Sequence, residues 1–190
     1  ETDFAFAAFW LLPRLSDFRK LHPEIEVRIV TSQTQPDYTA QQNDLSIIFA
    51  KGKPNKYRSH LVSIGHVFPV CSPALLAQNA PIDGLQQLAS LPLLKLADVA
   101  GNGWLNWRGF FNQLPNQAPS QLSNQVIPSE PVLTFNNYTL LVQAAIAGQG
   151  VGIGWGTLVD DLVDNGMLVA LKSFSIVSDW DYYLVETNTN

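Results

Sequence analysis

Short apolar runs alternate with longer amphipathic segments along the chain. Apolar side chains recur at helical spacing over Phe9 to Leu21, and the His22-Pro23 pair ends this predicted helix. Residues 25–30 alternate apolar and charged positions, which predicts a half-buried or edge strand. Leu45 to Phe49 is almost wholly apolar, as in a strand that is covered on both faces.

The same alternation continues to the end of the chain. Further strands are predicted at 61–70, 93–96, 132–135, 151–155, 167–171 and 182–185, with helices opening at Ser72, Asp83, Trp104, Asn137 and Thr157. Strands separated by helices of this length imply right-handed crossover units and mainly parallel sheets. The pattern therefore predicts an α/β fold.

Alternating glycines between Gly148 and Gly156 raise the possibility of a nucleotide-binding loop. Their spacing fits neither the dinucleotide-binding fingerprint nor a phosphate-binding loop with its Lys-Ser/Thr pair. We interpret Gly148 and Gly150 as a tight turn from helix to strand. The later glycines allow neighbouring backbone, or a ligand, to approach closely.

Composition narrows the classes of function. The 190 residues are 46% hydrophobic and carry a net charge of −5, so the chain is globular and is not expected to grip nucleic acid by itself. No apolar run is long enough for a membrane span, and no secretory leader is visible at the start. The single cysteine, Cys71, excludes an internal disulfide and fits a reducing compartment, which favours the cytoplasm.

Candidate catalytic chemistry is sparse. The three histidines, His22, His60 and His66, are scattered along the sequence and suggest no metal site. There is no nucleophile elbow and no local pairing of Cys with His. We therefore expect no catalytic residue, no metal and no cofactor, and we expect that the chain is not an enzyme.

Several ordered motifs carry a family resemblance. Phe9–Phe18 (FWLLPRLSDF) and His22–Val27 (HPEIEV) resemble the opening of the effector-binding domain of LysR-type transcriptional regulators. Later features follow in that family's order, namely Asp44–Ile47, Pro69–Pro73, Leu93-Leu94, Trp104 with Trp107, Ala144–Gly154 and Leu168-Val169. The set covers almost the whole chain and is similar to the glycine-cleavage-activator branch of the family.

The resemblance implies two Rossmann-like lobes of the type 2 periplasmic-binding-protein kind, joined by two crossover strands. Lobe one would comprise residues 1–69 plus 171–190, and lobe two residues 70–170. The family's domain ordinarily opens with a strand just ahead of Glu1, and a DNA-binding winged helix-turn-helix lies further upstream. We expect both to be outside this chain.

Ligands of open α/β sheets bind beyond the carboxyl ends of strands, so residues that follow strands are expected to line the cleft between the lobes. These are Thr2, Asp3 and Phe4 after the expected upstream strand, then Thr31, Ser32, Ala50, Lys51, Thr134, Phe135, Asn136, Asn137 and Trp155. Helix N-termini and Lys51 would favour an anion. Asp3 would oppose an anion, or hold an ammonium group. A small carboxylate or an amino acid is the expected effector.

The resemblance also implies a mechanism and partners. An effector with different affinities for two states of the domain would bias the DNA-binding heads of the full-length protein. The family's antiparallel homodimers, and homotetramers built from them, would pair residues 9–21 and 25–30 with 138–147 and 151–155. DNA would be contacted only through the N-terminal domain, and no membrane would be involved. Two alternatives are a solute-binding protein of a transport system, which shares the fold, and a small enzyme.

Overall fold

The computed structural model describes residues 1–32, 44–55, 58–79, 81–97, 103–114 and 129–186. The chain divides into two compact units. Unit 1 comprises Glu1–Gly65, Ala100–Gly103 and Ser178–Asn190, and unit 2 comprises His66–Val99 and Trp104–Val177. The lobe boundaries that the resemblance implies stay a prediction.

Helices and strands alternate through both units. In chain order they are β1 (Thr2–Asp3), α1 (Phe4–Phe6), a π-helical turn (Ala7–Leu11), α2 (Leu12–Leu21), β2 (Thr31–Ser32), β3 (Leu45–Lys51), β4 (Ser59–Ser63), β5 (His66–Cys71), α3 (Pro73–Asn79), α4 (Leu85–Ser90), β6 (Leu94–Leu96), α5 (Trp107–Gln113), β7 (Leu133–Phe135), α6 (Tyr138–Ile146), β8 (Gly152–Trp155), α7 (Gly156–Asp164), β9 (Val169–Ala170), a 3-10 turn (Lys172–Phe174), β10 (Ile176–Val177) and β11 (Trp180–Glu186).

The strands of unit 1 form one mixed arrangement. β11 pairs antiparallel with both β3 and β4, whereas β1 pairs parallel with β2. Two hydrogen bonds join β1 to β3, from the Glu1 amino terminus to the Leu45 carbonyl and from the Ile47 N–H to the Glu1 carbonyl, both at 2.8 Å. The strand order is therefore β2-β1-β3-β11-β4.

Unit 2 has the corresponding arrangement. β6 pairs parallel with β7, and β5 pairs antiparallel with β8, β9 and β10. The Leu94 N–H donates to the Val151 carbonyl at 2.8 Å, which continues the sheet from β6 to β8. The core lies where the helices cover this sheet, with fully buried side chains at Leu88, Phe110, Val142 and Leu158 from α4 to α7 and at Val67 and Val70 from β5.

Both sheets are thus mixed, and the expectation of mainly parallel sheets was wrong. Parallel pairing is expected only where a helix connects two consecutive strands of the same sheet. No helix separates β4 from β5, and β11 enters unit 1 directly after the last strand of unit 2. These strands run antiparallel to their neighbours.

The first helical segment begins earlier than its apolar pattern indicates. It runs from Phe4 to Leu21 instead of starting at Phe9, because the Asp3 carboxylate caps it by accepting from the Phe6 N–H at 2.8 Å. The wider π-helical turn follows, and Phe6 and Phe9 are buried. No residue of α2 is buried, and its apolar side chains Leu12, Phe18 and Leu21 are exposed.

The strand predicted over 25–30 is absent. The strand that follows consists of Thr31 and Ser32, which pair with Thr2 and Asp3. One hydrogen bond precedes that ladder, from the Thr2 N–H to the Val30 carbonyl at 3.0 Å. Ile25 and Val27 are exposed.

Helix starts show which side chains act as caps. Ser72 caps α3 as predicted, since its hydroxyl oxygen accepts from the Leu75 N–H at 3.2 Å. Asp83 and Thr157, which were predicted to cap the helices that follow them, do not do so. The start of α4 is held by the Gln87 side chain, which accepts from the Asp83 and Gly84 N–H groups. α7 already begins at Gly156.

Close backbone approach explains the glycines between α6 and α7. Gly148 has a φ of +75°, as expected of a residue that ends a helix in the left-handed region. A Cβ on Gly150 would lie 2.5 Å from the Pro92 carbonyl oxygen, and one on Gly154 would lie 3.2 Å from that of Phe68. The mechanical interpretation of these glycines is confirmed.

Gly150→Ala should lower the free energy of unfolding by about 1–3 kcal/mol, because its Cβ overlaps a backbone atom that cannot rotate away. Urea denaturation measures the change. Gly84→Ala is the control, since its Cβ meets nothing nearer than 3.8 Å and should cost less than Gly150→Ala does. Equal losses in both variants would contradict the packing argument.

Candidate functional site

In unit 1 the site is built around Asp3, at the carboxyl end of β1. One carboxylate oxygen, Oδ1, accepts from the Phe6 N–H at 2.8 Å, and the other, Oδ2, accepts from the Tyr182 hydroxyl at 2.9 Å. Tyr182 belongs to β11, two strands away, and its ring packs on Phe49 and Phe6 at centroid distances of 5.0 and 4.7 Å. Packing on two rings therefore fixes the hydroxyl that holds the carboxylate.

Burial dominates the electrostatics of Asp3. It raises the pKa of the carboxyl group above its ordinary value of 3.8, and the hydrogen bonds from Phe6 and Tyr182 only partly oppose it. Among the described residues, no ion pair involves Asp3. The carboxylate is therefore desolvated without a cationic side chain beside it.

Lys51 and Ala50 end β3, at the same edge of the unit 1 sheet. The Lys51 ammonium pairs with the Asp179 carboxylate at 2.5 Å, and both side chains are exposed, so this pair contributes about 0–1 kcal/mol. Its charge is already shared with an acid, which weakens its attraction for an anion. Ala50 packs against the buried cluster of Ile48, Tyr183 and Val185.

The remaining predicted residues of unit 1 lie close to Asp3 in the fold. Thr2 is only 2% exposed, and its hydroxyl has no hydrogen-bond partner in the described structure, so its side chain is out of reach of solvent. Thr31 and Ser32 pair with Thr2 and Asp3, whereas Phe4 is exposed in the first helical turn.

Most of the predicted residues are the last one or two residues of a strand and do not follow it. Thr2 and Asp3 form β1 themselves, where the sequence analysis placed them after an upstream strand. Hydrogen bonding extends β3 to Ala50 and Lys51, beyond the apolar run that ends at Phe49, whereas Thr134, Phe135 and Trp155 lie within strands that the pattern predicts. Their carboxyl-terminal location is unchanged.

In unit 2 the predicted residues surround the start of α6. Thr134 and Phe135 end β7, and Asn136 is exposed in the connection that follows. Asn137 caps α6 as predicted, since its side-chain oxygen accepts from the Thr139 N–H at 2.8 Å. This helix start presents backbone N–H groups at the edge of the sheet, as anion sites do.

Trp155 belongs to an aromatic cluster beside that helix. The Tyr138 hydroxyl accepts from the Trp155 N–H and donates to the Ile153 carbonyl, both at 3.1 Å. Trp104 stacks on Tyr138 at 4.6 Å and meets the edge of Trp155 at 5.5 Å. These rings border a cavity of about 10 Å³, also lined by Lys95, Asn106, Trp107 and Leu141, with room for about one water molecule.

The sequence analysis put Trp104 on a helix with Trp107, and this was wrong. α5 begins at Trp107, because the Asn106 side chain caps it by accepting from the Gly109 N–H at 2.8 Å. Trp107 is core, and its indole N–H donates to the Leu94 carbonyl. Trp104 instead lies against the start of α6.

Two tyrosines, Tyr182 and Tyr138, were missed. Tyr138 is at the start of a predicted helix and Tyr182 at the start of a predicted strand, so each resembled an ordinary structural residue. The usable signal was the hydroxyl itself, since a buried tyrosine needs a hydrogen-bond partner and can therefore orient one.

Among the residues described, no group of three or more His, Cys, Asp or Glu side chains is placed to hold a metal ion. No helix in the same part of the chain is long and apolar enough to cross a membrane.

Two α/β units with polar residues at the carboxyl ends of their strands define a ligand-binding domain of the periplasmic-binding-protein kind. The family model described as LysR substrate binding domain matches residues 3–185, and the chain belongs to this family. The resemblance noted from the sequence and the α/β fold class are confirmed.

Two relatives illustrate the match. The glycine cleavage system transcriptional activator of Escherichia coli K12 is 31% identical over 181 residues, covering 95% of this chain and 55% of that protein. The transcriptional activator AmpR of Citrobacter freundii is 29% identical, covering 92% of this chain and 56% of that protein. The chain thus spans about half the length of these relatives. Both relatives are transcriptional activators.

Solved structures support the fold. The AmpR effector-binding domain of Citrobacter freundii has a TM-score of 0.72 at 22% identity, covering 98% of this chain and 85% of that one. The effector domain of AmpR from Pseudomonas aeruginosa has a TM-score of 0.71 at 20% identity, with coverage of 100% and 84%. The two-lobe α/β architecture expected from the resemblance is therefore the fold of the chain.

Asp3 should make folding stability depend on pH. Because its folded pKa is raised, the native state holds the proton more tightly, and the stability this confers is lost as pH rises through the folded pKa. Asp3→Asn keeps the cap and removes the titration. Its free energy of unfolding, relative to wild type, should therefore increase from acid to neutral pH.

Urea denaturation of both proteins across that range tests the sign. Asp164→Asn, an exposed carboxylate on α7, is the control and should show no comparable trend. A relative stability of Asp3→Asn that falls with pH would contradict the account of Asp3.

Proposed function

We propose that this chain is the effector-sensing and oligomerisation domain of a bacterial LysR-type transcriptional regulator. It binds a small metabolite in the cleft between lobe one (1–69 plus 171–190) and lobe two (70–170). The observation that carries the proposal is the family match over residues 3–185, together with relatives that are transcriptional activators.

The positions of polar groups support the location of the ligand. Asp3 and Lys51 end strands of unit 1, while Thr134 to Asn137 and Trp155 end strands or open a helix of unit 2. In open α/β sheets these are the positions that contact ligands. An amino acid or another small carboxylate matches this combination of a carboxylate, an ammonium group and helix N–H groups.

Signalling follows from differential affinity. An effector that binds one arrangement of the domain more tightly shifts the population toward it, and the shift reaches an N-terminal winged helix-turn-helix. That domain makes the contacts to DNA, in keeping with the net charge of −5 on this chain.

The cytoplasm is the compartment we propose, with no membrane partner. Cys71 is a free, buried thiol, and burial raises its pKa to about 11, so it remains protonated at neutral pH. A solute-binding protein of a transport system shares this fold, but the relatives that match most of the chain are transcriptional regulators.

Exposed apolar side chains support a homodimer, which can pair further into a homotetramer. On α2, Leu12 is 53% exposed and Leu21 is 76% exposed, and Ile25 and Val27 continue this apolar strip. On α6, Leu140 is 55% exposed. We propose that the strip of one protomer packs antiparallel against α6 of its partner, which would cover both apolar surfaces. Residues 151–155, which the resemblance also placed in this interface, are buried within unit 2 and offer no exposed side chain.

Ligand binding is tested by thermal unfolding of the 190-residue chain against a panel of amino acids and small carboxylates. At least one compound should raise the melting temperature, since a ligand that binds only the native state stabilises it. Thr134→Ala and Asn136→Ala should weaken its affinity by about 5–30-fold each, the cost of a lost hydrogen bond.

Glu130→Gln, an exposed substitution outside the predicted site, serves as the control and should leave the affinity unchanged. Unaltered affinity in both variants would remove these residues from the site. A panel without a single stabilising compound would count against the proposed function.

The dimer is tested with Leu12→Glu and Leu140→Glu. Each places a charge in the proposed interface and should raise the dimer dissociation constant at least about tenfold, with little change in monomer stability. Sedimentation equilibrium gives the constant.

Leu61→Glu is the matched control, because Leu61 is 52% exposed on β4, away from the proposed interface. An equal effect of all three substitutions, or a wild-type chain that stays monomeric at high concentration, would contradict the proposal.

A further inference from the structure

We propose that the effector carries a protonated amine and that the Asp3 carboxylate binds it. This inference rests on the proposed function and deepens it by selecting an ammonium group for the unit 1 side of the site. Three observations support it. The Asp3 carboxylate is largely removed from water, it is held by hydrogen bonds from Phe6 and Tyr182, and the nearby cationic side chains interact with other groups.

The carboxylate is held in place yet still has acceptor capacity. Each oxygen accepts one hydrogen bond, from the Phe6 N–H and from the Tyr182 hydroxyl. An ionised carboxylate offers about four acceptor positions, so these bonds do not use all of them. Asp3 is intermediate in exposure, so part of the residue still faces solvent although burial raises the pKa of its carboxyl group.

Helix capping alone does not account for a charge at this position. Capping requires one oxygen, and Asn caps a helix about as well as Asp. Asn would do so without the cost of desolvating an ion, and buried charges are normally paired. Asp3 lacks an ion pair within the described part of the chain, and burial raises its pKa. A cation supplied from outside would therefore stabilise the ionised form that burial disfavours.

Cations on neighbouring elements are engaged elsewhere. The Lys51 ammonium pairs with Asp179. The Arg14 guanidinium donates to the Trp10 carbonyl and lies over the Trp10 ring at 4.9 Å. An anion would therefore meet a neutralised Lys51 and an uncompensated Asp3, whereas an amine would complete a charge pair.

Tyr182 is a positioning residue in this arrangement. Its ring is wedged against Phe6 and Phe49, so the hydroxyl fixes the rotation of the carboxylate. It is also the titratable side chain that the described structure shows hydrogen-bonded to Asp3. Its hydrogen bond favours the ionised form, which is the form that attracts an amine.

Calorimetric titration of the 190-residue chain with glycinamide, glycine and acetate separates the two charges of a zwitterion. Glycinamide and glycine should bind the wild-type chain, and Asp3→Asn should weaken both at least about tenfold, as expected for the loss of a charge-assisted contact. Binding of acetate should not weaken in Asp3→Asn. Asp164→Asn, the exposed control on α7, should leave all three unchanged.

Tyr182→Phe gives a second test that does not depend on the folding of Asp3→Asn. It retains the carboxylate and removes one hydrogen bond that lowers the pKa, so the pH below which glycinamide binding is lost should move upward. A purely structural tyrosine would weaken binding at every pH without moving this midpoint.

The outcomes separate the inference from the proposed function. Binding by acetate alone, or equal amine affinity in Asp3→Asn and wild type, overturns the amine while leaving a ligand-binding domain. Failure of both amines to bind also overturns it. The proposed function itself fails only if the wider metabolite panel shows no ligand.

Discussion

Two hydrogen bonds to one carboxylate connect three parts of unit 1. Through Asp3, the end of β1 caps the long helical segment and is tied to Tyr182 on the strand β11. Tyr182 in turn packs against Phe6 from the helix and Phe49 from β3. A substitution at Asp3 would therefore remove a contact to the helix, a contact to the sheet and the group proposed to bind the ligand. For this reason the proposed site depends on Asp3.

In unit 2 the carboxyl ends of the strands are held in place without a buried charge. The Tyr138 hydroxyl holds the end of β8 through Ile153 and Trp155, and the Asn137 side chain caps the helix that Tyr138 opens. Close approach at Gly150 lets β6 and β8 share a sheet, because the Val151 N–H reaches the Pro92 carbonyl at 2.8 Å. Each unit thus uses a tyrosine hydroxyl and a polar cap to order the carboxyl edge of its strands.

Local patterns predicted most elements but not their limits. Apolar runs located β3 and β8, and Ser72 and Asn137 revealed two helix starts, since those signals are carried by adjacent residues. The alternation over 25–30 did not predict a strand correctly, since strand formation needs a partner and local alternation does not show whether one is present. The roles of Tyr182 and Trp104 depend on contacts between residues distant in sequence, which periodicity does not encode.

Chemical-shift mapping with a compound that stabilises the chain tests the central claim most directly. The account predicts that the amide signals of Phe6, bonded to Asp3, and of Thr139, bonded to Asn137, shift together and saturate at the same ligand concentration. Both units would then contribute to one binding event. Shifts at neither amide, or at only one of them, would contradict a ligand held by the strand ends of both units.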